Sequence, residues 1–345
     1  MSANQIVLDN MIQRQITIQR YSNSVVKDIL SILNDADKEI VSMLRNADIE
    51  NWNNSKLQSV MADVKKIIKP TYEKASEETK QQMLDFADDQ STFTAKQIDN
   101  ILSKVDIATT LPSMEQLAAI VSKTPITVGT DGKLLLEEIF SELASGKENH
   151  IRQAIRLGMV ENETTDQMIR RLVGTKKSQY TDGIIEKDRR AAEAMVRTTV
   201  NHTNNEAANL VYKRNQSVIK GLQWHSTLDS RTTPICQARD GKVYPMYTKT
   251  RPPAHIRCRS FMIPVLKSFK ELGINAKEFP ASTRASMDGQ VPEATTYESW
   301  LKSKPAEFQQ EVLGKERAKL FSEGKYDLSQ FINDKGTYIA LKDLQ

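Results

Sequence analysis

The 345-residue chain has no glycine before Gly129, and only three of its eleven prolines precede that residue. Because glycine and proline interrupt helices and form turns, their scarcity predicts a helical first part. Seven prolines lie between Pro234 and Pro292, which predicts a loop-rich segment there. No apolar run approaches the roughly 20 residues that span a bilayer, and the first residues lack the features of a secretion signal. We therefore expect a soluble, globular protein without a membrane segment.

Cysteine and histidine are also scarce, with two and four residues respectively. Two cysteines do not make a disulfide framework and indicate a reducing compartment. The net charge of +4 is small and does not by itself indicate a binding partner. The length exceeds that of a usual single core, so two or three structural units are expected.

Apolar residues recur at helical spacing from Met11 to Met43 and again from Leu57 to Ile68. These stripes predict two amphipathic helices, of which the second ends near Pro70. Further helices are predicted near 77–90, 94–106, 113–123 and 133–160. Thr164 or Thr165 can cap the next helix, which Gly174 ends, and a longer helix follows over about 185–215.

The predicted fold class is α+β and mostly helical, with a small loop-rich module that contains β-strands between helical regions. Segment "GLQWHS" predicts a strand, "ARDGKVYP" a hairpin with Asp240-Gly241 at its tip, and "SFMIPVL" a closing strand. The predicted units are a helical arm (1–125), a helical region ending in a long helix (126–218), a basic module (219–270) and a C-terminal extension with an amphipathic helix (271–345).

Polar residues share one face of the long helix. Spacings of three and four residues, which keep side chains on one helix face, separate Ala194, Arg197, Asn201, Asn205 and Ala208. Exposure of this helix face to solvent would account for these polar residues. Buried polar groups need partners, however, and we favour a row of amide and guanidinium groups that donates hydrogen bonds to the loops of the basic module.

Positive charge is concentrated around the basic module. Residues 197–268 contain twelve Lys or Arg against three Asp or Glu, a net of +9, whereas residues 1–100 carry a net of −3. Such a patch attracts phosphates without a base-specific motif and predicts non-specific binding of double-stranded DNA. The residues that we expect to contact DNA are Lys213, Arg214, Lys220, Arg239, Lys242, Lys249, Arg251 and Arg257.

The two cysteines fall within this basic region, with one histidine close by. Eighteen residues separate Cys236 from His255, and two separate His255 from Cys258. A unit of about 50 residues usually needs a cross-link to be stable. Zinc is one hypothesis, with His225 or Asp229 as the fourth ligand of a tetrahedron.

Three other interpretations of these residues stay open. A metal-free core would use the cysteines as small buried apolar groups, with His255 bonded to the backbone. A disulfide between the cysteines is disfavoured by a reducing compartment. A nuclease or other DNA-acting enzyme that uses Asp229, His255 and Arg259 lacks a second carboxylate in a suitable place, so no catalytic residue is assigned.

Four segments carry a resemblance by their order and spacing: "RTTVNHTNNEA" (197–207), "WHSTLDSRTTPIC" (224–236), "DGKVY" (240–244) and "PPAHIRCR" (252–259). Over about 150–270 the chain resembles the Mu F-type minor head proteins of tailed phages, also called phage head morphogenesis proteins. The extension over 297–332 also resembles that of many members, and no toxin domain is appended. The motif positions carried over are Arg197, Asn201, Trp224, Asp229, Arg231, Cys236, Asp240, Gly241, His255, Cys258 and Arg259.

The resemblance implies a virion protein that is present in few copies inside the head, near the portal vertex, and in the host cytoplasm during assembly. It implies a role in head morphogenesis and in DNA packaging or ejection, with the portal protein and capsid or scaffolding proteins as partners. It implies no established enzymatic activity, no certain cofactor, and motif residues that are structural. A protein-binding scaffold without DNA contact is a further alternative.

Overall fold

The computed structural model describes residues 3–47, 53–102, 109–129, 132–273, 275 and 283–344. The chain is predominantly helical with short strands between helical regions, which confirms the predicted α+β, mostly helical class. Within these ranges, no helix combines the length and the apolar composition needed to cross a bilayer.

Two long helices, α1 (Ala3–Asn46) and α2 (Asn54–Ile101), pack against each other and against the later helices. The prediction that a helix ends near Pro70 and that new ones begin afterwards is wrong, because α2 continues through Pro70. A proline inside a helix costs about 3 kcal/mol. Ile68 and Tyr72 are buried on either side of it, so packing offsets that cost. The end of the predicted helix 94–106 lies outside the described residues.

Helix α3 (Met114–Lys123) is the last helix of the arm, and the described part of the region between the arm and the basic module contains α4 (Leu136–Val160), α5 (Thr165–Val173) and α6 (Ile184–Arg214). Two-residue strands β1 (Ile126–Thr127) and β2 (Lys133–Leu134) pair before α4. The predicted bounds of α5 are confirmed. Thr164 caps it by accepting a hydrogen bond from the Gln167 N–H, and Gly174 ends it with a φ of +93°.

The basic module is a three-stranded antiparallel sheet in the order β4–β3–β5, with strands at Ile219–His225 (β3), Val243–Tyr244 (β4) and Phe261–Leu266 (β5). Helix α7 (Pro234–Arg239) lies between β3 and β4 in sequence. The predicted hairpin with Asp240-Gly241 at its tip is therefore replaced by a helix end. Gly241, with a φ of +78°, turns the chain from α7 into β4.

The C-terminal extension contains a hairpin of β6 (Thr283–Ser286) and β7 (Gly289–Pro292), followed by α8 (Tyr297–Lys302), α9 (Ala306–Leu313), α10 (Lys315–Ser322) and a 3₁₀ turn at Leu328–Phe331. The single amphipathic helix expected over this segment is thus three short helices. Pro305 precedes α9, and Gly314, with a φ of +77°, separates α9 from α10. Both residues interrupt helical hydrogen bonding.

Three clusters of buried apolar side chains hold these parts. The first joins α1 to α6 and includes Leu33 and Ile68. The second lies under the module's sheet, includes Trp224 and Met262, and extends to the ends of α2 and α6. The third is formed by the C-terminal extension around Trp300 and includes Leu228 of the module. The module's cluster is therefore smaller than the first one, and it is shared with α2 and α6.

Candidate functional site

Two buried asparagines of α6 hold the start of strand β5. The side-chain amide of Asn201 donates to the Ser260 carbonyl at 3.1 Å, and that of Asn205 donates to the same carbonyl at 3.3 Å. The Asn205 Oδ1 accepts a hydrogen bond from the Met262 N–H at 3.1 Å. An amide buried without such partners would lose its hydrogen bonds to water, so this pairing fixes the sheet on the helix.

Arg197 lies on the same helix but does not contact the basic module's loops as expected. Its guanidinium donates to the Glu193 carboxylate at 2.8 Å and to the Asn23 side chain of α1 at 2.8 Å. The direct hydrogen bonds from α6 to the start of β5 come instead from Asn201, Asn205 and Tyr212, whose hydroxyl donates to the Met262 carbonyl at 3.4 Å. Arg197 therefore links α6 to the helical arm.

Trp224, at the end of β3, is fully buried in the second cluster. Its indole Nε1 donates to the Ser226 hydroxyl at 3.0 Å, and that hydroxyl lies 2.9 Å from the Cys236 carbonyl, to which it donates. The Arg239 guanidinium lies 5.1 Å from the centre of the indole ring, a cation–π distance. Trp224 therefore connects β3 to α7.

Asp229 forms an ion pair with Arg259 through two hydrogen bonds. The Arg259 nitrogens donate to the two carboxylate oxygens at 2.7 and 2.8 Å, and the Arg231 N–H and the Thr232 hydroxyl donate to Oδ1. Burial alone would raise the pKa of Asp229, but the hydrogen bonds and charge of Arg259 outweigh it and hold that pKa below its usual value. The carboxylate stays ionised and is occupied by the protein's own donors. The nuclease hypothesis therefore has no free carboxylate at this position.

Cys236, His255 and Cys258 come together although they are distant in sequence. The two Sγ atoms are 3.7 Å apart, and the His255 Nε2 is 3.3 Å from the Cys236 Sγ. All three candidate ligand atoms lie within 4.8 Å of one another. Both cysteines are buried and unpaired, and His255 is half-buried. The sequence-based expectation that these side chains meet is thus supported by the geometry.

The electrostatics of this group favour one thiolate. The hydrogen bond from Cys236 and the proximity of His255 lower the pKa of Cys258 well below its usual value, while the bond to Cys258 and burial raise that of Cys236. Burial acts to lower the pKa of His255, but its bond and attraction to Cys258 raise it above the usual value. The group is therefore polarised, with negative charge on Cys258.

Neither residue expected to supply a fourth ligand joins this group. Asp229 is paired with Arg259, and His225 packs its ring 5.0 Å from that of Phe261. Burial, and then the charge of Arg284, lowers the pKa of His225 well below its usual value. Among the described residues, the cluster of metal-ligand side chains contains Cys236, His255 and Cys258.

Residues 148–263, from α4 to β5, match the family model described as Phage Mu protein F like protein. We refer to this part of the chain, residues 148–263, as the Mu F-like region. No curated protein and no solved structure matched the chain. The Mu F-like region contains the α6 asparagines, the Cys-His-Cys group and the Asp229–Arg259 pair described above.

An arginine outside the Mu F-like region, Arg284, forms a buried ion pair with Asp240 inside it. Asp240 has a fully buried side chain, and its carboxylate accepts bonds from Arg284 at 2.8 and 3.1 Å, from the Ser226 N–H at 2.6 Å and from the Tyr297 N–H at 2.7 Å. Arg284 also donates to the carbonyls of Ser226 and Thr295. This arginine on β6 therefore holds the C-terminal extension onto the region.

Sequence reasoning missed Arg284. A buried aspartate needs a cationic or hydrogen-bonding partner, so Asp240 signalled that one exists. Nothing in the spacing of "TRAS" distinguishes Arg284 from the other arginines. Gly241 lies beside it, where a Cβ atom would come within 2.7 Å of the Thr296 side chain. The close approach of the extension thus restricts position 241 to glycine.

The eight cations predicted to contact DNA are not equivalent. Five are engaged within the protein, by a side chain, a carbonyl or an aromatic ring: Arg214, Lys220, Arg239, Arg251 and Arg257. Three have side chains that form no hydrogen bond or ion pair with the described part of the chain: Lys213, Lys242 and Lys249. Lys242 and Lys249 are exposed, whereas Lys213 is half-buried. Arg231 is also largely exposed, with 80% of its side chain accessible.

Proposed function

We propose that this chain is a minor head protein that acts in assembly of the head of a tailed phage and contacts both packaged DNA and the portal. The observation that carries the proposal is the Mu F-like match over residues 148–263. This family is one of phage head morphogenesis proteins, which supports a virion protein with capsid proteins as partners. The role is structural, and no catalytic residue is assigned.

Contact with DNA is supported by the free lysines at the edge of the module's sheet. Lys242 directly precedes the edge strand β4, and Lys249 lies in the loop that follows it. Val243 and Tyr247, between them, are also exposed, with 57% and 68% of their surface accessible. An unpaired, hydrated ammonium group can neutralise a phosphate without breaking an internal ion pair. We expect this edge, residues 242–249, to face the duplex.

Contact with the portal or another head protein is assigned to the helical arm. Helices of 44 and 48 residues extend about 66 and 72 Å at 1.5 Å per residue. Their outer faces are rich in charged side chains of both signs, several of them in exposed pairs such as Lys66–Asp63. Such a surface suits a partner protein better than a polyanion.

Binding to a short duplex, measured by fluorescence anisotropy as salt is raised, tests the DNA contact. Loss of two phosphate contacts in Lys242→Ala/Lys249→Ala is expected to reduce the slope of log affinity against log salt by about 2. The matched control is Lys65→Ala/Lys74→Ala, which removes two exposed and unpaired lysines from α2. An equal reduction of the slope in both double variants would contradict the assignment of DNA contact to residues 242–249. If the wild-type protein did not bind DNA at all, the alternative of a protein-binding scaffold would be favoured.

The head assignment is tested in a phage whose gene for this chain is interrupted. We expect the infected cells to produce few or defective heads, and purified wild-type virions to contain the chain by mass spectrometry. Normal numbers of infectious particles without it would contradict the proposal. A plasmid-nicking assay with magnesium addresses the enzymatic alternative, since cleavage abolished in His255→Ala would favour the nuclease.

A further inference from the structure

The Cys236, His255 and Cys258 side chains are arranged at the corners of a metal site. A tetrahedral zinc ion with bonds of about 2.3 Å to sulfur and 2.0–2.1 Å to nitrogen separates two sulfurs by about 3.8 Å, and sulfur from nitrogen by about 3.6 Å. The observed Sγ–Sγ distance is 3.7 Å and the Nε2–Sγ distance to Cys236 is 3.3 Å. We infer that these three residues bind one Zn²⁺ ion, a role that does not rest on the phage function.

The orientation of His255 is that of a zinc ligand. Its Nδ1 lies 2.8 Å from the Ile256 carbonyl, an acceptor, so Nδ1 carries the proton and donates it. The Nε2 atom then carries a lone pair instead of a proton, and it lies 3.3 Å from the Cys236 Sγ. Metal-bound histidines are held in this way, with the second ring nitrogen donating to a carbonyl or carboxylate.

The surroundings are suited to two thiolates and a divalent cation. Both cysteines are buried, and the charge of two thiolates and one Zn²⁺ sums to zero, which removes the cost of an unpaired buried charge. The ion would join α7 to the 252–259 loop, in a module whose own apolar cluster is small.

The fourth position is assigned to oxygen. The Thr233 hydroxyl, at the start of α7, lies 2.8 Å from the His255 Nε2. Thr233 or a water molecule would complete an S₂NO set. Without metal, the same contacts form a hydrogen-bond network in which the Thr233 hydroxyl donates to Nε2 and the Cys236 thiol donates to the Cys258 sulfur. These two arrangements differ in metal content, so they can be distinguished.

The test uses the full chain, expressed without chelators and purified anaerobically. Mass spectrometry of the elements is expected to find about one zinc per chain. X-ray absorption at the zinc edge should show two sulfur and two lighter ligands. After replacement by Co²⁺, a thiolate-to-cobalt charge-transfer band should appear. Reduced wild-type protein that holds no zinc, even when Zn²⁺ is supplied, would overturn the inference, as would three or more sulfurs around the ion.

Variants locate the site. Cys236→Ser, Cys258→Ser and His255→Gln should each lose most of the metal and the charge-transfer band. His150→Gln is the matched control, because His150 is half-exposed on α4 and pairs with Asp188. Retention of zinc in all three site variants, or its loss in His150→Gln, would overturn the assignment. If the site variants do not fold, the zinc content and absorption spectrum of the wild type still decide the matter.

Discussion

The helical arm and the basic module are stabilised in different ways. The arm's helices share the largest apolar cluster, which is spread over many side chains at helical spacing. The module has a small apolar cluster, and its loops are fixed by a few polar contacts: the α6 asparagines, the Asp229–Arg259 pair, the Asp240–Arg284 pair and the Cys-His-Cys group. Packing divides the free energy of unfolding among many residues, whereas buried polar pairs concentrate it in a few.

The largest effect is expected from Arg284→Ala. It leaves the buried Asp240 carboxylate without its cation, and removing one partner of a buried ion pair costs about 3–5 kcal/mol. Denaturant unfolding followed by tryptophan fluorescence measures the cost, in a Trp52→Phe background that leaves the buried Trp224 and Trp300. The control Lys302→Ala removes partly exposed ion pairs with Glu298 and Asp327 and should cost about 0.5–1 kcal/mol. Equal effects would contradict the view that stability is concentrated in the buried Asp240–Arg284 pair.

Leu33→Ala tests the arm. Leu33 is 1% exposed in the first cluster, and a buried Leu→Ala change costs about 2–5 kcal/mol. Most helical residues that pack on this cluster lie outside the module, whereas Trp224 and Trp300 belong to the second and third clusters. Leu33→Ala should therefore lower the unfolding midpoint measured by far-ultraviolet circular dichroism more than the midpoint measured by tryptophan fluorescence. Arg284→Ala should show the reverse order. Identical shifts by both probes would mean that the regions unfold as one unit.

A smaller effect is expected from Asn205→Ala. The substitution leaves the Met262 N–H of β5 without its acceptor, and a buried unpaired donor costs about 1–3 kcal/mol. Arg197→Ala, on the same helix, removes a partly exposed ion pair with Glu193 and a hydrogen bond to Asn23, and it should cost about 0.5–1 kcal/mol in the same unfolding measurement. A larger loss in Arg197→Ala would restore that residue to the bracing role predicted from the sequence.

The sequence predicted the helical arm well because its apolar stripes and missing glycines act locally. It failed at Pro70, where the burial of Ile68 and Tyr72 overrides the local preference of proline. It also failed at Asp240-Gly241, where the dipeptide suggested a hairpin tip but ends α7. Both failures have one cause, since a contact with a distant segment decided the local backbone.

For the candidate site, the sequence supplied the residue types and the tertiary structure supplied their partners. Scarce cysteines and a histidine in one basic segment were enough to expect that Cys236, His255 and Cys258 meet. Spacing could not exclude Asp229 and His225 as ligands, because their engagement by Arg259 and Phe261 depends on how β3, α7 and the 252–259 loop pack.

The amino-acid sequence by itself determined the helical periodicity, the positive charge around the module and the family features of residues 197–259, because these depend on residues close together in the chain. Only the tertiary structure decided which cations remain free and which carboxylates are neutralised. It also placed Arg284 against Asp240, 44 residues away. Such pairings form when distant segments are brought together in an environment of low polarity, where an unpaired charge is too costly to remain.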